Sequence, residues 1–301
     1  MNIKNVVLTG AIALFAAATS VAQINILNAK TPDEIGKKTA AQIEYDNDEP
    51  LPYGYVDERD VLWSKTTWEF VDLDERVNFP LYYPIDTNNI GSERRSLYDV
   101  LVGAMKSGEI TEVYADSYFT EKRTLSDLDA SLVYRDTLDG GYDQINAGEA
   151  LDPQFVREFT LDAADIEGWK MRGLWYLDKR QGELKYRLLG LCPVAGEARS
   201  KSLEGGGGSE DTVELFWVFF PSARETLHNA KAFNRRNTSQ PISYDHLLNS
   251  RRFSGLVYKE DNVQGDREVN EYIVDNSLMQ LLESDRIREQ IRNIEIDLWN
   301  Y

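Results

Sequence analysis

The alternation between Trp169 and Phe220 limits what this chain can fold into more than any other feature. Trp169, Met171, Trp175 and Leu177 share one face of an extended segment, and Lys170 and Arg172 share the other. A polar turn, 178–182, leads into Leu184, Tyr186 and Leu188 alternating with Lys185 and Arg187. Val213 to Phe220 is apolar on both faces apart from Glu214, the pattern of a central strand. Three such segments predict an antiparallel meander over 169–220, and with the helical patterns around it an α+β fold. Between the second and third segments, Gly205-Gly206-Gly207-Gly208-Ser209 predicts a flexible surface loop, 197–211. No Gly-Lys-Ser/Thr follows, and Glu204, Glu210 and Asp211 flank it, so it does not cradle phosphate.

Helix signals surround the meander. Thr31-Pro32-Asp33-Glu34 starts a short helix to about Ile43. Ser96 caps a helix with a buried stripe of Leu97, Val100, Leu101, Ala104 and Met105, which Gly108 ends. Ile110 to Tyr114 reads as a strand, Leu125 to Leu138 as a helix, and Pro221-Ser222 as the start of a helix to about Phe233. A helical turn is expected at Tyr244–Leu248 and a strand at Leu256–Tyr258. Near the C-terminus, Leu278, Leu281 and Leu282 form one stripe, and Ile287, Ile291, Ile294 and Leu298 form another on roughly the opposite side. Either the helix breaks near Ser284-Asp285 or it is clasped from both sides. The second stripe is expected on the core, with a partner surface including Trp299 as the alternative.

Ahead of all this, Lys4, an apolar run from Val6 to Ala18 and Thr19-Ser20-Val21-Ala22 follow the order of a cleavable export signal, 1–22. The run is shorter than the roughly 20 residues that span a bilayer. No cysteine follows the cleavage position, so a soluble exported chain without a lipid anchor is expected. Its net charge of −18 argues against nucleic acid and against an anionic membrane face. If the protein sits at a membrane, another protein holds it there. Cys192 is the only cysteine, which excludes an internal disulfide, and its apolar neighbours predict a buried, inert thiol.

Glu44 to Pro52 is an acidic linker, and Val61 to Pro84 fits no single period. Trp63, Trp68, Phe70, Phe79, Tyr82 and Tyr83 crowd that stretch among Asp72, Asp74, Glu75 and Arg76. It reads equally as a strand and loop over the protein's own core, or as an extended arm docking aromatic anchors on another subunit. The organisation expected is therefore a 23–94 segment of helix, linker and arm, followed by a 95–301 body. Against the acidic background three basic pairs stand out: Arg94-Arg95, Arg235-Arg236 and Arg251-Arg252. They read as solvated surface or as contacts to an acidic partner, which in a homo-oligomer includes the next copy.

Catalytic chemistry finds no constellation. His228 and His246 lack HExxH spacing and a Gly-x-Ser-x-Gly elbow. Asp139-Gly140-Gly141-Tyr142-Asp143 suggests a calcium loop, but Gln144 and Ala150 stand where its glycine and bidentate glutamate belong, so a surface turn is expected. The sequence therefore predicts a non-enzyme with no cofactor and no metal site. An exported carbohydrate-binding or carbohydrate-degrading protein, using aromatic rings as sugar platforms, is the alternative.

Trp63-Ser64-Lys65, Trp68-Glu69 and Asn78-Phe79-Pro80-Leu81-Tyr82-Tyr83-Pro84 resemble the GldN/PorN family, the gliding-motility N proteins of the type IX secretion system. Arg95-Ser96-Leu97-Tyr98-Asp99-Val100, Gly173 to Lys179, Phe216 to Lys231 and Tyr244 to Asp266 extend the resemblance along nearly the whole mature chain. The resemblance implies a periplasmic structural subunit. Its implied partners are an outer-membrane lipoprotein, the K component, the periplasmic part of the motor M component, and further copies in a ring. It also implies the docking-arm reading of Val61–Pro84, so that deleting 44–84 should release the partner from a folded body.

Overall fold

The computed structural model describes Thr31 and residues 48–86, 88, 94–148, 152–198, 212–237 and 241–299. The expected export signal, the helix from Thr31 to Ile43 and most of the 197–211 loop lie outside the described residues. The chain divides into two compact units, Met1–Glu49 and Pro50–Tyr301, and the strands and helices of the described residues belong to the second.

In chain order these are β1 (Val61–Asp72), α1 (Phe79–Tyr82), α2 (Leu97–Ser107), β2 (Val113–Tyr114), β3 (Lys122–Arg123), α3 (Leu125–Leu132), β4 (Val133–Thr137), α4 (Asp139–Asn146) and β5 (Val156–Thr160). There follow β6 (Ile166–Asp178), β7 (Glu183–Gly196), β8 (Thr212–Glu214), β9 (Val218–Phe219), α5 (Phe220–Asn229), β10 (Lys231–Ala232), β11 (Ile242–Ser243), α6 (Tyr244–Asn249), β12 (Leu256–Glu260), α7 (Val269–Tyr272) and α8 (Ser277–Trp299). The main sheet runs β12-β1-β6-β7-β8, with β9 also on β7, and its strand pairs are antiparallel. The α+β class and the 169–196 hairpin are as the alternation predicts.

The third strand differs. Val213–Phe220 is not central: β8 sits at the sheet edge, Leu215 and Phe216 leave the sheet to bury in the core, and α5 already begins at Phe220. Apolar residues on both sides here mark a chain diving into the core, which periodicity cannot separate from a central strand. The interior place belongs to β1, which pairs with β6 from Val61↔Asp178 to Asp72↔Gly168 and with β12 from Thr67↔Glu260 to Phe70↔Leu256. The arm expected over 61–84 is therefore, over 61–72, an interior strand, and the compact unit begins at Pro50 rather than residue 95. Even the end of the acidic linker is tied down. Arg224 donates to the Leu51 carbonyl at 2.7 Å and Arg180 to that of Tyr55 at 2.7 Å, while the Tyr53 hydroxyl donates to Asn249 at 2.8 Å.

Side-chain alternation gives the sheet two covered faces. On one, Val71, Trp169, Met171, Leu188 and Leu191 join Leu97, Leu101 and Met105 of α2, Phe220, Ala223 and Leu227 of α5, and Leu247 and Leu248 of α6. Further along, Trp63, Trp175, Leu184 and Val257 receive Ile287 and Ile291 of α8. On the opposite face Trp68 and Cys192 pack with Tyr114 and Trp217. There the β2–β3 hairpin docks through reciprocal Tyr114–Trp217 backbone hydrogen bonds, both 2.8 Å.

Local chemistry sets several boundaries. The Ser96 hydroxyl accepts from Asp99 N at 3.1 Å to cap α2, and Gly108 ends it at φ +81°, where a side chain would be strained. The helix expected over 125–138 stops at Leu132, because Val133–Thr137 pairs with Val156–Thr160 instead. Residues 139–146 form a helix rather than a surface turn. The C-terminal helix does not break at Ser284-Asp285. Ser284 is buried and accepts Val257 N at 2.9 Å, beside the irregularity where β12 shifts register against β1. Of the second stripe Ile287 and Ile291 are buried and Ile294 is half-buried, while Leu278, Leu281 and Leu282 stay exposed.

Candidate partner interface

The ten residues singled out from the sequence separate into an interior set and a surface set. Trp68 is fully buried, its ring 5.6 Å from Tyr118 and flanked by the Arg172 guanidinium at 5.2 Å and the Lys259 ammonium at 4.8 Å. Trp63 packs on the α8 contact. The Phe70 ring lies so close to Gly168 that a Cβ there would overlap it. These three rings belong to β1, where alternation drives them into the two faces of the sheet. Trp68 is a core residue, and Trp63 and Phe70 are half-buried on the sheet.

Phe79, Tyr82 and Tyr83 behave differently. Asn78, fully buried, fixes the segment: its amide donates to Asp72 O at 2.6 Å and Ser254 O at 2.9 Å, and its side-chain oxygen accepts from Ser254 N at 2.9 Å. Leu81 plugs inward, which turns Phe79 and Tyr83 outward at 37 and 47% exposure. Phe79 and Tyr83 meet edge-on at 5.4 Å and 85°, and Tyr82 and Tyr83 at 4.9 Å and 66°. The Tyr82 hydroxyl donates to Ala164 O at 3.2 Å. This is a pre-ordered aromatic ladder on the surface, not a swinging arm.

Buried Tyr244 connects the ladder to the arginines. Its hydroxyl lies 2.8 Å from Arg95 O and 3.2 Å from Pro80 O, so one phenol pins both segments, and burial raises its pKa. Arg94 stacks on exposed Phe233 at 4.8 Å, and Arg95 donates back to Arg94 O at 2.8 Å. Just beyond Phe233, Asn234 Oδ1 accepts from Arg236 N at 3.1 Å, a turn that leaves Arg235 and Arg236 exposed. The structure thus brings Arg94 and Arg95 to the Phe233–Arg236 turn. Sequence reasoning missed Phe233 and Tyr244; the readable sign was an aromatic standing alone in a polar loop directly before two arginines. Arg95 also reaches a cleft of about 840 Å³ lined by Asp86, Asp99, Glu109 and Asp162.

The third basic pair is divided. Arg251 is consumed inside the protein by Glu69, and Arg252 is exposed. Cys192 is fully buried, and desolvation pushes its thiol well above the ordinary range, against thiolate chemistry. His228 and His246 lie on separate helices, α5 and α6. Among the described residues no group of His, Cys, Asp or Glu is placed to hold a metal ion, and no helix is long and apolar enough to cross a membrane.

A sheet covered on both faces carries an ordered ladder of rings and a cluster of arginines on its surface. The family described as gliding motility associated protein GldN matches residues 56–300. The chain belongs to that family, and it is a gliding-motility-associated protein. No curated protein matches it.

Proposed function

We propose that this chain is a non-enzymatic periplasmic subunit of the type IX secretion and gliding machinery. In this reading it grips an outer-membrane lipoprotein, the K component, contacts the periplasmic part of the motor M component, and stands beside further copies in a ring. The observation that carries the reading is the Phe79–Tyr83 ladder beside Arg94, Arg95, Arg235 and Arg236, on a chain whose net charge is −18. Rigid exposed aromatics and arginines are the side chains that dominate protein interfaces, because they bury area and hydrogen-bond at little cost in conformational freedom. Four arginines gathered on an acidic protein make a locally positive patch that complements an acidic partner surface.

A carbohydrate platform is less well served. Sugar faces stack on flat, open rings, whereas Phe79 and Tyr83 stand edge-on to each other at 85°.

The test is co-purification of the tagged chain with the K component from envelope extracts. Phe79→Ala/Tyr83→Ala and Arg235→Glu/Arg236→Glu are expected to lose the lipoprotein while keeping the native circular dichroism spectrum. Undiminished co-purification of both variants refutes the interface.

A further inference from the structure

We propose that α8 is a self-recognition element: its outer face pairs antiparallel with the same helix of a second copy, about a two-fold axis between Arg288 and Glu289. Ser284, Ile287 and Ile291 turn inward and are buried. At 100° per residue, Leu278, Leu281, Leu282, Asp285, Arg288, Glu289, Arg292 and Ile296 fall within about 120° on the opposite side. Leu278, Leu281, Leu282 and Ile296 are 45 to 67% exposed, a concentration of large aliphatics that the described residues do not cover.

Charge chooses the occupant. The middle of the strip reads Asp285, Arg288, Glu289, Arg292, and the four side chains are 42 to 65% exposed in i,i+3 pairs, Arg288–Asp285 at 3.7 Å and Arg292–Glu289 at 3.0 Å. Exposed pairs of this kind exchange partners at little cost. Laid antiparallel on a second copy with the axis between Arg288 and Glu289, Asp285 meets Arg292 and Arg288 meets Glu289, each twice by symmetry. The same register sets Leu281 against Ile296. A parallel pair sets every charge against its own like, and a three-residue antiparallel slip sets Asp285 against Glu289. The alternation therefore favours this pairing over an in-register parallel pair and over a three-residue antiparallel slip. One helix face is near the lower limit of a specific interface, so the pair is reversible and concentration-dependent. It requires no lipoprotein, and its failure leaves the partner surface at Phe79–Arg236 untouched.

Fully buried Cys192 leaves introduced cysteines as the reactive thiols among the described residues. Asp285→Cys and Arg292→Cys are made separately in the full chain and oxidised alone or mixed. A disulfide in the mixture, several-fold above either pool alone, is expected; mixed pools that cross-link no better than separate ones overturn the proposal. Sedimentation supplies the second reading. Leu281→Glu/Leu282→Glu is expected to abolish the dimer, Asp285→Arg to weaken it about tenfold, and Asp285→Arg/Arg292→Asp to restore it. A wild-type chain that stays monomeric, a dimer indifferent to Leu281→Glu/Leu282→Glu, or a charge swap that fails to restore, each overturns it.

Discussion

Glu69 and Arg251 form a two-pronged ion pair, Nη1–Oε1 at 3.0 Å and Nη2–Oε2 at 2.8 Å, with the carboxylate only 2% exposed. Arg251 sits at φ +49° and lays its guanidinium 4.1 Å from the Tyr186 ring and 4.9 Å from that of Trp175. Burial works against its charge, yet Glu69 outweighs that and holds the guanidinium pKa above its ordinary value. Arg251→Ala leaves a buried carboxylate without its counter-ion and is expected to cost about 3–5 kcal/mol in urea unfolding. Replacing both residues by methionine should cost less than Arg251→Ala alone, and a double variant worse than the single would contradict this account.

The rings of β1 and of the ladder should part company when truncated. Trp68→Ala empties a core site and is expected to lose about 3–5 kcal/mol. Tyr83→Ala, on the surface, should stay within about 0.5 kcal/mol. By the same logic, deleting residues 44–84 does not leave a folded body, because it removes the strand between β6 and β12. Thermal unfolding of the three variants, followed by tryptophan fluorescence, checks the order.

Gly173 is a glycine by necessity of packing. A Cβ there would overlap the Tyr186 ring and hydroxyl. Gly173→Ala is expected to destabilise by about 1–3 kcal/mol through overpacking, with part of the loss recovered in Gly173→Ala/Tyr186→Leu. Additive losses in the double variant would show that the two positions do not meet.

Acid should weaken the fold through its hydrogen-bonded carboxylates. Arg286 donates to Glu283 and holds it below its ordinary 4.5. Burial opposes the charge of Asp116, but backbone donors at Glu121 and Thr120 and the Thr120 hydroxyl hold it below 3.8. Groups depressed in the folded state stabilise it fully above their unfolded pKa and lose that contribution as pH falls through the folded value. The urea midpoint should therefore be insensitive to Glu283 protonation near neutrality and fall below about pH 4.5. Glu283→Gln should flatten that fall; an unchanged slope would deny the contribution.

What could be read in advance was what depends on local periodicity. The hairpin from Ile166 to Gly196 and the capped helix from Leu97 to Ser107 carry their signals within their own residues. Two readings failed where distant partners decide. β1 takes Trp68 into the sheet because Arg172 and Lys259 lie across from it, and nothing between residues 61 and 72 reveals that. Leu215 and Phe216 look like a central strand until the edge position of β8 is known. On the candidate interface, Phe79 and Tyr83 were legible as aromatics but not as surface rings. Asn78 and Leu81 set their direction, and Asn78 does so through Ser254, a residue far along the chain.

The strand order carries a consequence for biogenesis. β1 lies between β6 and β12, so its second neighbour arrives only with Leu256–Glu260. During synthesis β6 closes one edge of β1, and the other stays open at Thr67–Phe70 until nearly all of the polypeptide has emerged. Completion of the sheet is thereby deferred to the end of synthesis. A product cut short before Leu256 is left with a sticky, half-zipped sheet, the natural target of holdases and proteases.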